Sequence, residues 1–205
     1  MAADAGVGER IYQELRRGVL TGAFKLRERL VVEKLAKKMR ASTTPIREAL
    51  VRLATERLIV SRPAEGFFAS LWTEAELKEL YEWRLDLVLL ALDRRLSATR
   101  APPAATDLIY PERVAGTLQA IEDEASAELR RAADNADDRL YPARFVEPDA
   151  LTGADGELAH LAEMSGAASK RELVVALKRF HVRRMTHVGA IRDRAALRAL
   201  SRNGD

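Results

Sequence analysis

Apolar residues near the start of the chain recur every three or four positions, which is the spacing of one face of a helix. This spacing predicts a first helix from Glu9 to the pair Thr21-Gly22, where glycine suits a helix C-cap. It predicts a second, shorter helix between Val31 and Met39, with charged residues on the face opposite the apolar one.

A third helix is predicted to begin near Thr44, directly after the second. Ser42 or Thr43 can cap it, and Pro45 suits its first turn because the missing N–H would be unpaired there in any case. Polar residues lie on the outer face of this helix, beginning at its N-terminal end. Its apolar face follows the i, i+3, i+4 rule and consists of Ile46, Ala49, Leu50, Leu53 and Ala54.

Two β-type runs follow the third helix. Residues 58–62 and 66–69 are rich in branched and aromatic side chains, and the turn between them predicts a hairpin in which Gly66 supplies a positive φ. Two helices joined by a tight turn and followed by a hairpin are the parts of a winged helix-turn-helix, in the order that this fold requires. The order predicts double-stranded DNA as a partner.

Hydroxyl and guanidinium groups cluster at the exposed N-terminal end of the third helix. Hydroxyl groups can bind phosphates or bases, and guanidinium groups can bind phosphates or guanine edges in the major groove. The wing adds an arginine and the turn glycine, which suit contacts with the DNA backbone or the minor groove. The predicted DNA-binding residues are Arg40, Ser42, Thr43, Thr44, Arg47, Arg52, Arg62 and Gly66.

The pattern after the wing is helical to the end of the chain, and it predicts no further strand. Thr73 and Glu76 have the spacing of a capping box, so a long helix is predicted to follow and to end near Ser97. Later helices are predicted over residues 111–134, 154–164, 170–191 and 193–201, with a loop or short helix over 134–149.

The predicted fold is therefore mostly α. It consists of an N-terminal winged helix-turn-helix domain over residues 1–72 and a C-terminal all-α helical bundle over residues 73–205. The acidic residues Glu122, Asp123, Glu124 and Glu128 are interpreted as one solvated helix face.

Charge divides unevenly between the two predicted domains. Residues 1–72 carry 14 Lys/Arg and 8 Asp/Glu, whereas residues 73–205 carry 20 and 23. The basic surplus thus lies in the domain with the wing, as attraction to phosphate requires. The chain has no cysteine. It shows neither a signal peptide nor an apolar run of about 18 residues, which predicts a soluble, cytoplasmic protein.

The segment STTPIREAL at residues 42–50, followed by RLIVSRPAEGFFAS, resembles the GntR family of bacterial transcription regulators, and more narrowly its FadR-like branch. The recognition helix of that family usually opens Ser-Arg-Thr-Pro-x-Arg-Glu-Ala-Leu. Thr43 stands where the family has arginine, and Arg57 stands where it has glycine after this helix. The resemblance implies a homodimer that binds a palindromic DNA operator.

The resemblance also implies a C-terminal effector domain of the FCD type. The first helix of such domains reads Tyr-x-x-Arg-x-x-Leu-Glu; here Tyr81, Arg84 and Leu87 match, and Val88 replaces the acid. Arg84 lies within a predicted bundle, so it needs an anionic partner, either a carboxylate of the protein or one of a ligand. The residues predicted to contact a small-molecule effector are Arg84, His181 and Arg183.

Many FCD domains hold a divalent metal through an Asp-x-x-x-His pair and two later histidines. In this chain Ala154 and Leu158 occupy the positions of that pair. A degenerate site could use Asp155, His160 and His187, but Asp155 and His160 are five residues apart and do not face one way on a helix. We therefore predict no tightly bound metal and no cofactor.

These features together predict a bacterial DNA-binding transcription regulator, a repressor, controlled by a small carboxylate metabolite. Two alternatives stay open. One is a winged-helix protein without a ligand response that acts through protein contacts. The other is a helical metal-dependent enzyme, which is less favoured because no nucleophile, metal cluster or acid pair stands at a defined spacing.

Overall fold

The computed structural model describes residues 2–25, 27–69, 72–95 and 107–201, with side chains from residue 6 onward. Within these ranges the chain is mostly helical, with one small sheet. The helices are α1 (Ala2–Leu20), α2 (Val32–Met39), α3 (Thr43–Thr55), α4 (Glu74–Arg94), α5 (Tyr110–Ile121), α6 (Ala127–Ala150), α7 (Ala154–Ala167), α8 (Lys170–Thr186) and α9 (Val188–Ser201), and the strands are β1 (Ile59–Arg62) and β2 (Gly66–Ala69).

The chain forms two compact units. The first contains the residues up to Leu71 together with the segment from Ala196 onward, and the second is Trp72–Ala195. The first holds the winged helix-turn-helix, and the second is helical throughout its described residues. The predicted fold class is confirmed. No helix in the described ranges has the length and apolar character needed to cross a bilayer.

The first unit is built around α3, which packs against both α1 and α2. The predicted apolar face of α3 is buried at Ile46, Ala49, Leu50 and Leu53. Burial of this face against α1 and α2 leaves the opposite face of α3 exposed, because one stripe of a helix can face the core while the rest faces solvent.

The wing is a two-stranded antiparallel hairpin in which Ile59 pairs with Ala69 and Arg62 with Gly66. Gly66 has a φ of +103°, as the predicted turn requires. The sequence did not predict that a segment before α2 pairs with the other edge of β2. There the Leu30 amide donates to the Phe67 carbonyl at 2.8 Å, so β2 is bonded on both sides.

Arg57, just after α3, adopts a φ of +59°. This left-handed conformation costs a residue with a Cβ about 1–2 kcal/mol. It explains in physical terms why a glycine suits this position, and it shows that the arginine here is held in a strained backbone.

The second unit begins with the predicted capping box, in which the Thr73 hydroxyl accepts from the Glu76 amide at 3.2 Å and the Glu76 carboxylate accepts from the Thr73 amide at 2.7 Å. Helix α4 packs against α6 and α8, α5 packs against α6 and α7, and α7 packs against α8. Helix α4 ends at Arg94, and the predicted end at Ser97 lies outside the described residues.

The prediction for residues 111–149 was wrong in two respects. The single helix over 111–134 is divided, because α5 ends at Ile121 and Ser126 caps a new helix by accepting from the Leu129 amide at 3.3 Å. The segment 134–149, predicted as a loop or a short helix, is instead the continuation of α6, a helix of 24 residues that contains two prolines in its interior. Each proline removes one backbone hydrogen bond, but the remaining bonds and the buried face of the helix maintain it.

The predicted helix over 170–191 is also divided. Its first part, α8, ends at Thr186, and His187 has a φ of −111° and a ψ of 19°, outside the helical region. Helix α9 then runs from Val188 to Ser201, so the predicted boundary near residue 193 lies too late in the chain.

Candidate nucleic-acid interface

The N-terminal end of α3 presents polar side chains that the protein itself does not use. Ser42, Thr43, Thr44 and Arg47 are exposed, and none of them has a side-chain hydrogen bond or ion pair within the described part of the chain. The first amides of a helix have no intrahelical acceptor and favour anions, including phosphate. This end of α3 can therefore bind phosphate and reach base edges at the same time.

Helix α2 ends beside this site in a short turn. Arg40 takes the left-handed conformation at its C-cap, with a φ of 50°, and the next amide, that of Ala41, donates to the Ala36 carbonyl at 3.0 Å. Arg40 is exposed, as are Lys37 and Lys38 in the last turn of α2. Within the described residues these three cations have no ion-pair partner, and the turn connects them directly to the hydroxyl-bearing start of α3.

Arg52 differs from the other predicted DNA-binding residues of α3. Its guanidinium pairs with Glu9 at 2.9 Å and with Glu56 at 3.1 Å, and it lies 3.5 Å from the centre of the Tyr12 ring. The Tyr12 hydroxyl in turn donates to Glu56 at 2.6 Å. Arg52 is therefore engaged in contacts between α1 and α3, and it does not share the exposed, unpaired state that Arg47 has among the described residues.

The wing arginine is also partly engaged. Arg62 pairs with Glu65 at 3.3 Å and lies 4.8 Å from the centre of the Phe68 ring, while its side chain remains about half exposed. The sequence reasoning missed Arg29, whose Nε would lie 3.6 Å from a Cβ placed on Gly66. Arg29 pairs with Phe68 across the outer edge of β2, which adds a cation beside the wing turn.

The interior of the second unit contains a network of buried charges. Arg84 is fully buried and donates to Asp137 (Nε–Oδ1, 2.6 Å) and to Glu122 (Nη1–Oε1, 2.5 Å). Arg144 also reaches Asp137, at 2.7 Å. The interpretation of Glu122 as part of a solvated face was wrong: its side chain is only 4% exposed because it pairs with Arg84.

These pairs shift the pKa values of the two acids in opposite directions. Burial would raise the pKa of Asp137, but Arg144 and Arg84 together outweigh that effect and hold the pKa below its usual value. Burial raises the pKa of Glu122, and Arg84 offsets the effect only in part. Arg84 thus has its anionic partners within the protein.

A second buried cluster adjoins the first and centres on Arg184. This guanidinium donates to Glu147 at 2.8 Å, to Glu157 at 3.0 Å and to the Tyr110 hydroxyl at 2.7 Å. The hydroxyl of Tyr81, one of the residues that carry the family resemblance, donates to the other oxygen of Glu147 at 2.6 Å. Burial and the nearby Glu147 raise the pKa of the Tyr81 phenol well above 10.

His181 lies in the same interior and is 1% exposed. Its Nδ1 is 2.9 Å from the Leu177 carbonyl. Burial lowers the pKa of His181 to about 3, and the positive charges of Arg84, Arg184 and Arg144 act in the same direction. Of the three predicted effector contacts, Arg84 and His181 are therefore enclosed by protein groups.

Residues 7–69, which contain the whole of the site on α3 and the wing, match the model of the bacterial regulatory proteins of the gntR family. The N-terminal domain of this chain belongs to the GntR family.

Individual relatives agree with this assignment. The chain is similar to the Nta operon transcriptional regulator of Aminobacter aminovorans, with 40% identity over 78 residues that cover 38% of this chain and 36% of the relative. It is 34% identical over 104 residues to the gluconate operon transcriptional repressor of Bacillus licheniformis, which covers 51% of this chain and 42% of the relative. The chain therefore matches less than half the length of these curated relatives.

The resemblance in fold extends further than the resemblance in sequence. A crystal structure of a GntR transcriptional regulator from Rhodococcus sp. RHA1 matches 88% of this chain and 96% of its own, with a TM-score of 0.69 and 16% identity. At this identity the match shows the fold alone. The GntR-family domain of this chain is thus followed by a helical region whose fold occurs in a solved regulator.

The three residues considered for a degenerate metal site do not form one cluster in the part of the chain that the structure describes. Asp155 pairs with Arg113 at 2.6 Å, and the Nδ1 of His187 is 2.8 Å from the Arg183 carbonyl. No group of three or more His, Asp or Glu side chains suited to a metal is found among the described residues.

The third predicted effector contact, Arg183, lies at a different place from Arg84 and His181. It lines a cavity of about 570 Å³ between α7 and α8, on the outer side of these helices. Its guanidinium donates to Glu157 at 3.0 Å and to the Thr152 carbonyl at 2.6 Å. His160 also lines this cavity. The cavity therefore brings together one predicted effector contact, one residue of the considered metal site, and other residues that the sequence reasoning did not single out.

Proposed function

We propose that this chain is a bacterial DNA-binding transcription regulator that acts as a repressor. The observation that carries the proposal is the N-terminal end of α3, where Thr44 and Arg47 are exposed and unpaired within the described residues of a GntR-family domain. The gluconate operon repressor of Bacillus licheniformis, a relative over about half of this chain, supports repression as the sign of regulation.

We propose that α3 enters the major groove. Arg47 would read a guanine edge or a phosphate through its planar guanidinium, and Ser42, Thr43 and Thr44 would bind phosphate or bases through their hydroxyl groups. Arg40 would add a phosphate contact from the turn, and the wing would contact the adjacent backbone through Arg62. The exposed side chain of Val51, one turn after Arg47, offers an apolar contact for a thymine methyl group.

The finer parts of the proposal concern assembly and control. We propose a homodimer that binds a palindromic operator, because a two-fold protein matches a two-fold site. Residues 1–72 would bind DNA, and residues 73–205, with an FCD-like bundle, would bind a small carboxylate and dimerise. The two relatives named above are transcriptional regulators of operons, which supports a regulatory role for this chain. We place the protein in the cytoplasm, where its operator would be.

A selection from a random pool of DNA duplexes, using the full chain, tests the proposal and yields an operator. Fluorescence anisotropy then gives the affinity for that operator as a function of salt. We expect log affinity to fall linearly with log salt, because phosphate contacts release counterions. Arg47→Ala is expected to lose most of the discrimination between the operator and a scrambled duplex.

Arg52→Ala is the matched control for this experiment. It removes the same charge from the same helix, but Arg52 is already paired with Glu9 and Glu56. Its operator affinity is expected to change far less than that of Arg47→Ala. Full operator affinity in Arg47→Ala, or no enriched sequence in the selection, would contradict the proposed role of α3 and favour the alternative of a winged helix used for protein contacts.

A further inference from the structure

The cavity between α7 and α8 has an unbalanced set of charges at its edge. Arg171 and Arg179 are exposed and have no ion-pair or hydrogen-bond partner within the described residues. Both acids that line the cavity are already used: Glu172 accepts from the Ser169 amide and hydroxyl at the start of α8, and Glu157 accepts from Arg183. Three arginines and two glutamates line the cavity, so its net charge is positive.

An apolar surface lies between the two unpaired arginines. Arg171, Val175 and Arg179 are spaced four residues apart and so share one face of α8. Val175 is 63% exposed, which leaves its side chain open to the cavity. Leu161 and Met164 line the cavity from α7. A ligand here would meet both aliphatic surface and cations.

From these contacts we infer that the cavity is a binding site for a small carboxylate with an apolar tail. This inference rests on the proposed function, because it assigns a place and a chemical class to the effector. The carboxylate would bind Arg179, next to Arg183 one turn later, through charge-assisted hydrogen bonds. The tail would cover Val175 and contact Met164, whose thioether adapts to aromatic or aliphatic groups. A volume of about 570 Å³ lies within the range of small-molecule sites.

The same contacts connect the cavity with the buried charges of the second unit. One oxygen of Glu157, Oε2, accepts from Arg183 at the cavity and from Arg184 in the interior, at 3.0 Å in both cases. A ligand carboxylate beside Arg183 competes with Glu157 for that guanidinium. Ligand binding can therefore alter the contacts of Arg184, which also holds Glu147 and Tyr110.

Isothermal titration calorimetry on the full chain, without DNA, tests the site. The probes are 4-phenylbutyrate and octanoate, which combine a carboxylate with an apolar tail. Two controls separate the contributions: 4-phenylbutyramide keeps the tail without the charge, and butyrate lacks most of the tail. We expect saturable binding of both probes and affinities at least tenfold weaker for both controls. The amide loses the charge-assisted hydrogen bonds to the arginine, and butyrate loses most of the apolar contact with Val175 and Met164.

Variants on the exposed surface of α8 locate the binding. Arg179→Gln is expected to weaken 4-phenylbutyrate binding about tenfold or more, and Arg171→Gln to weaken it less. Lys178→Gln is the matched control, because Lys178 is an exposed cation of the same helix that does not line the cavity. Thermal unfolding checks that all three variants keep the stability of the parent chain.

The possible results distinguish this inference from the proposed function. No binding of either probe, equal binding of the amide, or unchanged affinity in Arg179→Gln would overturn the carboxylate site, while salt-dependent operator binding would still support the DNA-binding regulator. If the probes bind as expected but the full chain selects no DNA sequence, the site stands and the regulator proposal fails.

Discussion

Arg84 and Asp137 form a two-pronged ion pair inside the second unit, with Nε 2.6 Å from Oδ1 and Nη2 3.2 Å from Oδ2. Both residues are buried, and the same arginine makes two further bonds to Glu122. The interior is self-contained: within the described ranges, no buried side-chain nitrogen or oxygen lacks a hydrogen-bond partner. A ligand carboxylate at Arg84 would have to displace two protein carboxylates.

Removal of one member of this pair is expected to be costly. Arg84→Met should lower the free energy of unfolding by about 3–5 kcal/mol, because it leaves Glu122 buried without its cation and Asp137 with Arg144 alone. Urea denaturation followed by circular dichroism measures the change. Arg131→Met is the control, since the Arg131–Glu128 pair is largely exposed, and it should leave the unfolding midpoint nearly unchanged. Equal stability of both variants would show that the buried ion pair contributes no more to the free energy of unfolding than the exposed pair.

His181 is expected to make the second unit sensitive to mild acid. Its pKa is about 3 in the folded protein and near 6.5 when unfolded, so below pH 6.5 the unfolded chain binds the extra proton. The stability that depends on neutral His181 is thus fully present above pH 6.5. It is lost as the pH falls towards 3, by up to about 1.4 kcal/mol per pH unit.

Urea unfolding at pH 7 and pH 5.5 compares this loss between variants. His181→Gln is expected to lose less stability than the parent chain over that interval, whatever its stability at pH 7. His160→Gln, which changes an exposed histidine of the same unit, should follow the parent. A loss in His181→Gln as large as in the parent would show that His181 is not the group that responds.

Arg57→Gly is expected to stabilise the protein. Glycine adopts the positive φ found at residue 57 without the Cβ clash, which stabilises the folded chain. It also has more conformational freedom in the unfolded chain, which offsets part of this effect. The free energy of unfolding should therefore rise by about 0.5–1 kcal/mol. Thermal unfolding of the full chain measures it. Arg57→Ala removes the same charge but keeps the Cβ, and it should give no such gain. A gain of equal size in both variants would assign the effect to the charge and not to the backbone.

Thr43→Arg restores the residue that the family pattern has at the start of the recognition helix. Because Thr43 is exposed there, the new cation should raise operator affinity and steepen the slope of log affinity against log salt by about one. Thr55→Arg, at the far end of α3, adds the same charge away from the proposed DNA contacts. Equal slopes in the two variants would mean that residue 43 does not reach DNA.

The first unit could be predicted from the sequence because local signals agree there with the tertiary structure. The apolar stripe of α3, Pro45 in its first turn and the glycine of the wing turn each indicate the structure that is found. The third partner in the wing, the segment around Leu30, was missed. It is short, pairs with a distant part of the chain, and has no alternation of its own.

The second unit was less predictable because its core is partly charged. Asp137, Arg144 and Glu147 occupy the buried face of α6 at helical spacing, but a search for apolar periodicity counts them as polar. With two prolines nearby, this segment indicates a loop or a short helix. Arg84 of α4 and Arg184 of α8, together with Arg144 of α6 itself, make its burial possible, and no local pattern reveals the two long-range partners.

In the candidate sites, too, the sequence predicted what depends on local residues and missed what depends on distant ones. The sequence required an anionic partner for Arg84 but could not choose between the protein and a ligand, because that choice depends on Glu122 and Asp137, which are distant in the chain. It also could not distinguish Arg47 from Arg52, which lie on one helix but differ in their partners, because Arg52 pairs with Glu9 of α1 and with Glu56 just after α3. The exposure of Val175 beside Arg179 had no signal in the sequence.

The cluster of Tyr81, Glu147 and Arg184 limits how this domain can change during evolution. Loss of one member leaves a polar group buried without its partner, whereas replacement of the whole set by apolar residues of similar volume can be neutral or stabilising. Intermediate sequences are therefore selected against, and the three positions should covary. Among homologues that keep this helical domain, we expect the cluster to be either retained as a unit or replaced as a unit.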